Sequence, residues 1–191
     1  MRVLGTGSGA VRQLAYSPCG TQLYCVETNS DKLSWLRWRD LESSRRMRSV
    51  GLATGVRVDF SRDGCFAACV NRRGVCVYKL DSDRSMTYDF LTASATVALA
   101  ADGRKFALSG RRADPSRPGS TIIVESRELD AKRPLHTFHS TIHTRALAFS
   151  PDGRLLASGG REGYTLWELM RGESIAVGLQ EVERLLFAPD G

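Results

Sequence analysis

The stretch that decides the fold is "RALAFSPDGRLLASGGREGYTLWEL", residues Arg145–Leu169. It reads as an apolar strand, an S-P-D-G turn, a second apolar strand, a glycine-rich turn and a third strand that contains Leu-Trp-Glu. In such a turn Pro pre-sets the backbone, Asp accepts hydrogen bonds from the following amides, and Gly tolerates a positive φ. The segment therefore predicts consecutive antiparallel strands joined by tight turns.

The same unit recurs along the chain. Related segments begin at Arg12, Val56 and Thr96, and the chain closes on "VERLLFAPDG", which matches the start of the unit. The turn glycines are Gly20, Gly64, Gly103, Gly153 and Gly191, so the spacing is 44, 39, 50 and 38 residues. A period of roughly 40–45 residues with several strands per unit is typical of β-propellers.

The apolar residues of these strands are consecutive rather than alternating, as in 146–149 and 155–157. A sheet with one face in water would alternate apolar and polar residues, whereas a strand that is buried on both faces does not. We therefore expect small sheets that stack face to face, each one covered by its neighbours.

On these residues the chain resembles the WD40-repeat β-propeller family, and the resemblance covers almost the whole chain. Trp167 stands in Leu-Trp-Glu where the family has Leu-Trp-Asp, Ser158 matches the family's second-strand Ser, and Glu162 replaces its turn Asp. His139, in Phe-His, approximates the family's Gly-His one residue further upstream than usual. The resemblance implies a partial hydrogen-bond network among His139, Ser158, Glu162 and Trp167.

The predicted fold is therefore all-β, a β-propeller of the WD-repeat type with about four blades plus the first strand of a fifth. We expect residues 1–191 to form a single partial propeller, with blades at 11–50, 56–91, 96–139 and 145–179, and a fifth that starts at 182–191. Because an open propeller leaves sheet faces and edges uncovered, we expect a fragment, a truncated gene product, or half of an assembly that self-associates through its open ends.

The N-terminal stretch "GTGSGA", residues 5–10, satisfies the G-x-G-x-x-A pattern of dinucleotide-binding folds, and Glu27 lies at the spacing of a ribose ligand. That fold needs a helix of several turns after the glycines, but Pro18 would end a helix within two turns. The sequence instead predicts a loop that leads into the first strand, and no nucleotide cofactor.

Other candidate sites are weak. His136, His139 and His143 have helical zinc-ligand spacing, but on the predicted strand the first two point to opposite faces. The five cysteines contain no C-x-x-C pair, so neither a zinc site nor a disulfide framework is expected. Because no nucleophile, metal or triphosphate motif occurs, we predict no catalytic residue, no metal, no cofactor and no enzymatic activity.

Charge suggests where a partner binds. The net charge of +6 is carried by 23 Arg and 4 Lys against 21 acidic residues. In the WD-repeat architecture the loops that join second and third strands emerge on one face, and here they carry Arg72, Arg73, Arg111, Arg112, Arg117 and Arg161. The turns at the opposite face carry Asp instead. We predict that the basic face binds an acidic protein surface or peptide through Arg–carboxylate pairs.

The sequence thus predicts a non-catalytic scaffold for protein–protein interaction. Sequence-specific nucleic-acid binding is not expected, because no aromatic residues are interleaved with the basic ones. No apolar run is long enough to cross a membrane, and the N-terminus lacks a signal-peptide layout, so we expect a cytoplasmic protein. The alternatives are the propeller portion of a larger multidomain enzyme or periplasmic-type binding protein, or a non-functional truncated gene product.

Overall fold

The computed structural model describes residues 10–17, 20–29, 34–41, 46–52, 58–71, 74–80, 82, 84–89, 96–113, 120–131 and 133–190. The chain divides into two compact units, Met1–Val58 and Asp59–Gly191. Within the described residues all regular structure is β-strand, and no helix is long and apolar enough to cross a membrane.

The strands form four four-stranded sheets, and in each sheet the strands are hydrogen-bonded in the order in which they occur along the chain. Sheet 1 contains β1 (Ala10–Tyr16), β2 (Gln22–Thr28), β3 (Ser34–Asp40) and β4 (Arg46–Leu52). Sheet 2 contains β5 (Val58–Phe60), β6 (Phe66–Asn71), β7 (Gly74–Lys79) and β8 (Ser85–Asp89). Sheet 3 contains β9 (Thr96–Leu99), β10 (Lys105–Ala113), β11 (Ser120–Glu128) and β12 (His136–Ser140). Sheet 4 contains β13 (Thr144–Phe149), β14 (Leu155–Gly160), β15 (Gly163–Glu168) and β16 (Glu173–Gly178). The all-β prediction with four blade-like sheets is confirmed.

The first unit has a strand, not a helix, directly after the N-terminal glycines. Strand β1 begins at Ala10 and pairs with β2, so the chain forms a β-hairpin where a dinucleotide fold requires a helix. Gly5, Gly7 and Gly9 lie outside the described residues. Tyr24, Val26 and Leu36, which share one face of sheet 1, are buried. The dinucleotide interpretation is therefore excluded by the structure of β1.

In the second unit, sheet 3 is apolar on both of its faces. Phe106 and Leu108 of β10 pack with residues of sheet 2, whereas Ala107 between them packs with residues of sheet 4. Each of these three residues is fully buried. Because successive side chains of a strand point to opposite faces, an uninterrupted apolar run places hydrophobic groups on both faces. The stacked arrangement expected from the consecutive apolar residues is thus present.

The predicted S-P-D-G turn has the geometry expected of its residues. In the turn between β13 and β14, Asp152 Oδ1 accepts hydrogen bonds from the Ser150 hydroxyl at 2.6 Å and from the Arg154 amide at 3.0 Å. These two donors lower the pKa of Asp152. Gly153 has a φ of 67°, in the left-handed region that favours glycine. Equivalent contacts recur in the turns at 61–66 and 102–104.

The predicted first strand of a fifth blade, residues 182–191, is not a hydrogen-bonded strand over the described residues 182–190. A strand ladder needs a neighbouring strand, and the described residues supply none for this segment. Instead the Val182 amide donates to the Gly160 carbonyl at 2.8 Å, and the Val182 and Leu185 side chains lie against Gly159. The segment therefore covers part of the face of sheet 4 that points away from sheet 3.

The predicted loop that carries Arg111, Arg112 and Arg117 begins and ends as strand. Arg111 pairs with Ile122, Arg112 with Thr121, and Ala113 with Ser120, so β10 and β11 continue as a two-stranded ribbon. β-branched residues at 121–123 favour extended backbone, which explains why the strands continue here. Residues 114–119 lie outside the described residues.

Candidate functional site

Two members of the predicted hydrogen-bond network meet between sheets 3 and 4. The Trp167 indole Nε1–H on β15 donates to the Ser158 hydroxyl oxygen on β14 at 2.9 Å. Both residues are buried. A buried indole N–H needs an acceptor, because on burial it loses its hydrogen bond to water and is destabilising unless another acceptor replaces that water.

Trp167 also joins the two sheets through its ring. The ring stacks on Phe138 of β12 with a centroid distance of 4.5 Å and an interplanar angle of 25°. Ala107 and Val124 of sheet 3 belong to the same buried cluster, as does Leu156 of sheet 4. The Trp of the repeat therefore serves the packing of one sheet on the next.

The structure places the other two predicted network members elsewhere. Glu162 lies in the turn between β14 and β15, where its Oε2 accepts a hydrogen bond from the His143 amide at 3.2 Å. His139 has an exposed side chain on the outer strand β12, and its backbone pairs with Ile123. Glu162 thus holds the connection between β12 and β13, while His139 is not brought to the Trp167–Ser158 pair.

We call the end of a sheet at which its second and third strands are joined the hairpin end. At the hairpin end of sheet 4 the backbone is tightly packed around Gly160. A Cβ atom on Gly160 would lie 2.0 Å from the His143 carbonyl oxygen. The Gly160 carbonyl is also the acceptor for Val182. Three segments therefore meet here: the β14–β15 turn, the β12–β13 connection and the chain after β16.

The charges at the hairpin end of sheet 4 are mixed. Glu181 Oε1 lies 3.9 Å from Arg145 Nη1 and 3.8 Å from Arg161 Nε. All three side chains are substantially exposed. Ion pairs of this kind are long, hydrated and weak, so they restrain the side chains little. Arg161 is therefore partly neutralised by Glu181 without being fixed by it.

The hairpin end of sheet 3 projects further than that of sheet 4. β9 pairs with β10 only as far as Ser109, and β12 pairs with β11 only as far as Ile122, so the ribbon extends beyond both neighbouring strands. Strands β10 and β11 have nine residues each, whereas β14 and β15 have six. Arg111 lies on this ribbon with an exposed side chain, and Arg112 follows it in the backbone. Of the other predicted partner-binding residues, Arg72, Arg73 and Arg117 lie outside the described residues.

The histidines and cysteines form no candidate metal centre among the described residues, where no group of three or more His, Cys, Asp or Glu side chains could hold an ion. His136 and His139 both lie on β12 and pair with residues of β11. The His136 ring stacks on the Phe138 ring with a centroid distance of 5.7 Å. No disulfide joins any two of the described cysteines Cys25, Cys65, Cys69 and Cys76.

Sequence reasoning missed a buried ion pair on the face of sheet 3 that is directed towards sheet 2. Glu125 Oε2 accepts hydrogen bonds from Arg127 Nη2 at 2.7 Å and from Nε at 3.0 Å. Only 1% of the Glu125 surface is exposed. The sequence contained a signal for this pair, because Glu125 and Arg127 are two residues apart in a strand and their side chains therefore lie on one face. The signal is weak, because charged residues in strands usually face water.

A second missed contact ties sheet 2 to sheet 3. Asp59 Oδ2 on β5 accepts a hydrogen bond from the Leu99 amide at the end of β9, at 2.7 Å. Burial raises the pKa of Asp59, and the hydrogen bonds from Leu99 and Phe60 offset only part of that effect. An acidic residue flanked by Val58 and Phe60 in an apolar strand was the signal in the sequence.

Comparison with protein families finds a match within the chain. The family described as "WD domain, G-beta repeat" (WD40) matches residues 132–165, which run from the end of sheet 3 to the middle of sheet 4. No curated protein sequence matches the chain.

Solved structures resemble the chain over most of its length. A chain of the "Crystal Structure of Mitotic Checkpoint Complex" superposes with a TM-score of 0.71 at 17% identity, covering 97% of this chain and 56% of that one. The beta-propeller domain of Myceliophteria thermophila Cps50 (Swd1) gives 0.63 at 14% identity, with 92% and 57% covered. Kuenenia stuttgartiensis hydrazine synthase gives 0.60 at 13% identity, with 88% and 48% covered. The chain spans about half the length of these solved chains.

Proposed function

We propose that this chain, which has the β-propeller fold and carries a WD40 repeat at residues 132–165, is a non-catalytic scaffold that binds a protein partner at the hairpin end of its sheets. WD40 propellers generally mediate protein–protein interactions, which supports the class of function. The finer part of the proposal is that the partner presents an acidic surface or peptide. We also propose that the protein acts in the cytoplasm, which fractionation of cells expressing a tagged chain would test.

The observation that carries the proposal is the projecting ribbon of β10 and β11. Arg111 is exposed on it, and Arg112 is the next residue of the same strand. A guanidinium group binds a carboxylate through two parallel hydrogen bonds, which makes arginine suited to acidic partners. The weak Arg161–Glu181 contact supports the proposal as well, because an incoming carboxylate can replace Glu181 at little cost.

The test is reversal of the charges at the hairpin end. Arg72, Arg73, Arg111 and Arg112 are all changed to Glu, and the probe is a fluorescein-labelled poly-glutamate peptide at low salt. We expect the affinity to fall by about tenfold or more, because both attraction and bidentate pairing are lost. Added salt should weaken the wild-type affinity in the same direction.

A matched control carries four reversed charges at the opposite end of the sheets. Arg62, Arg104, Arg154 and Arg171 lie in turns between first and second or third and fourth strands, and all four are exposed. Changing these four to Glu gives the same net charge, and we expect it to weaken peptide binding much less. Equal losses for the two variants would mean that net charge alone attracts the peptide, and would reject this end as the binding site.

The second candidate function is the propeller portion of a larger enzyme, and the similarity to hydrazine synthase is the observation that favours it. That similarity is one of fold, since the sequences are 13% identical. Reading the coding sequence on both sides of this chain discriminates between the candidates. A catalytic domain in the same reading frame would favour the enzyme, and further repeats would favour the scaffold. A stop codon directly after Gly191 would favour the truncated gene product.

A further inference from the structure

The second unit contains two cysteines in direct opposition. Cys69 on β6 is the register partner of Cys76 on β7, and the hairpin is closed two pairs further on by Asn71 and Gly74. The connection between the two strands has only two residues, so the register cannot slip without moving every side chain of the hairpin to the other face. The opposition of the two cysteines is therefore a fixed property of this hairpin.

The geometry of opposed residues suits a disulfide. Directly paired residues of antiparallel strands have Cα atoms about 4.5–5.5 Å apart and side chains on the same face. Disulfides span Cα separations of about 4.4–6.8 Å, so the backbone already lies within their range. Opposed Cβ atoms in a ladder are about 4.5–5.5 Å apart and a disulfide needs about 3.5–4.5 Å, so closing the bridge requires the two Cβ atoms to approach each other by about 1 Å.

The surroundings of the two thiols are enclosed. Only 1% of Cys69 and 7% of Cys76 are exposed. The Cys76 Sγ lies 3.3 Å from the Thr87 hydroxyl on the outer strand β8. Tyr78 follows Cys76 by two residues on β7, so its side chain lies on the same face of the sheet as the two thiols. Burial raises the pKa of Cys69 to about 12, so its thiolate is scarce in the folded hairpin. Cys76 is the more exposed of the two and adjoins the outer strand.

We propose that Cys69 and Cys76 form a dithiol that a small-molecule disulfide such as oxidised glutathione slowly converts into a cross-strand disulfide within the folded protein. The Cys76 thiolate attacks the glutathione disulfide, forms a mixed disulfide and releases one glutathione thiolate. The Cys69 thiolate then attacks the Cys76 sulfur and releases the second. The two cysteines lose two electrons and two protons, and oxidised glutathione becomes two molecules of glutathione.

The bridge would fasten β6 to β7 two pairs below the connection that contains Arg72 and Arg73. Because the thiols are buried, formation is slow and the completed bridge is shielded from reduction. The loop that it closes is short, so the gain in thermal stability is small. This inference does not depend on the proposed partner, and its test contains no binding step.

The sequence allows a direct readout. Trypsin cuts after Arg62, Arg72, Arg73 and Lys79, which separates the two cysteines into the peptides "DGCFAACVNR" and "GVCVYK". The full chain with Cys65→Ser, which removes the exposed thiol from the first peptide, is incubated with oxidised glutathione, blocked with N-ethylmaleimide, digested and analysed by mass spectrometry. We expect the two peptides to appear as a linked pair that reductant separates, and the oxidised protein to melt a few degrees higher.

Two controls make the result decisive. Cys76→Ala in the same background should abolish the linked pair while leaving the circular dichroism spectrum unchanged, and should remove the rise in melting temperature. Incubation in urea separates bridging in the folded hairpin from bridging in the unfolded chain. Peptides that stay unlinked after prolonged oxidation of the folded protein, or that link only in urea, would overturn the proposal.

Discussion

The Trp167 indole donates a 2.9 Å hydrogen bond to Ser158, and its ring lies at the same time on Phe138 of the neighbouring sheet. One side chain therefore performs two tasks, ordering two adjacent strands of sheet 4 and joining sheet 4 to sheet 3. Sheets that stack in this way bury their apolar faces only against one another. Contacts such as this one determine whether the second unit holds together as a whole.

The hydrogen bond and the ring contact of Trp167 can be separated by substitution. Trp167→Phe retains a ring for Phe138 but removes the donor to Ser158, and we expect it to lower the free energy of unfolding by about 1–3 kcal/mol. Ser158→Ala should lower it by about 1 kcal/mol. The loss in the double variant should be smaller than the sum of the losses in the two single variants, because the second substitution has no hydrogen bond left to remove. Urea unfolding followed by circular dichroism measures all three, and strictly additive losses would show that the bond contributes nothing.

The sequence predicted the parts of this structure that depend on short-range chemistry. The turn at 150–154 follows from Ser, Pro, Asp and Gly, whose local hydrogen bonds set its geometry wherever it stands in the fold. Trp167 and Ser158 occupy paired strands at positions that the repeat determines. Glu125 and Arg127 were not foreseen, because only the packing of sheet 2 on sheet 3 buries them. The sequence predicts a loop at Arg111 and Arg112 because Pro, Arg and Gly follow them, whereas in the structure pairing with 121–122 continues the strand through both residues.

Substitutions in the buried ion pair of sheet 3 should lower the free energy of unfolding much more than substitutions in an exposed ion pair. Glu125→Gln leaves the Arg127 guanidinium with little compensation, and we expect a loss of about 3–5 kcal/mol in the free energy of unfolding. Replacing both residues, as Glu125→Leu with Arg127→Met, should be less harmful, because no buried charge remains. The control is Arg171→Met, which removes an exposed contact with Glu168 and should change stability by less than about 1 kcal/mol. Similar losses for Glu125→Gln and Arg171→Met would contradict the burial of the pair.

Asp59 makes the free energy of unfolding decrease as pH rises. Its pKa is raised above the ordinary value of 3.8, so between 3.8 and the raised value the folded protein binds more protons than the unfolded chain. The contribution of Asp59 to the free energy of unfolding therefore falls as pH rises through this window. Asp59→Asn keeps an acceptor for the Leu99 amide but cannot ionise.

The measurement for Asp59 is thermal unfolding of both proteins over a series of pH values. We expect the stability of the wild type relative to Asp59→Asn to decrease with rising pH and then to level off above the raised pKa. A difference that is constant with pH, or that grows as pH rises, would show that the Asp59 pKa is not raised in the folded protein.

The close approach at Gly160 predicts that this position accepts no side chain. Gly160→Ala would place a Cβ atom 2.0 Å from the His143 carbonyl oxygen, so the β12–β13 connection has to move away from Gly160. This movement disturbs the hydrogen bond from the His143 amide to Glu162 and the one from the Val182 amide to the Gly160 carbonyl. We expect a loss of about 2 kcal/mol or more in the free energy of unfolding. Gly51→Ala is the control, since its Cβ would meet only Trp35 at 3.4 Å or more, and it should be tolerated. Equal tolerance at both positions would argue against the described packing around Gly160.

The outer edge of sheet 4 predicts self-association. Ile175 and Val177 of β16 are 52% and 64% exposed, whereas the outer strand β12 of sheet 3 exposes polar residues such as Thr137. An edge strand with exposed apolar side chains and unpaired backbone groups attracts a further strand, and a charge on it prevents pairing. We expect the wild type to form dimers or larger species as its concentration rises, and Val177→Lys to return it towards the 21.0 kDa monomer in light scattering. Thr137→Lys adds the same charge to β12 and should leave the association unchanged. A wild type that stays monomeric at every concentration would show that the β16 edge is not a contact surface between copies.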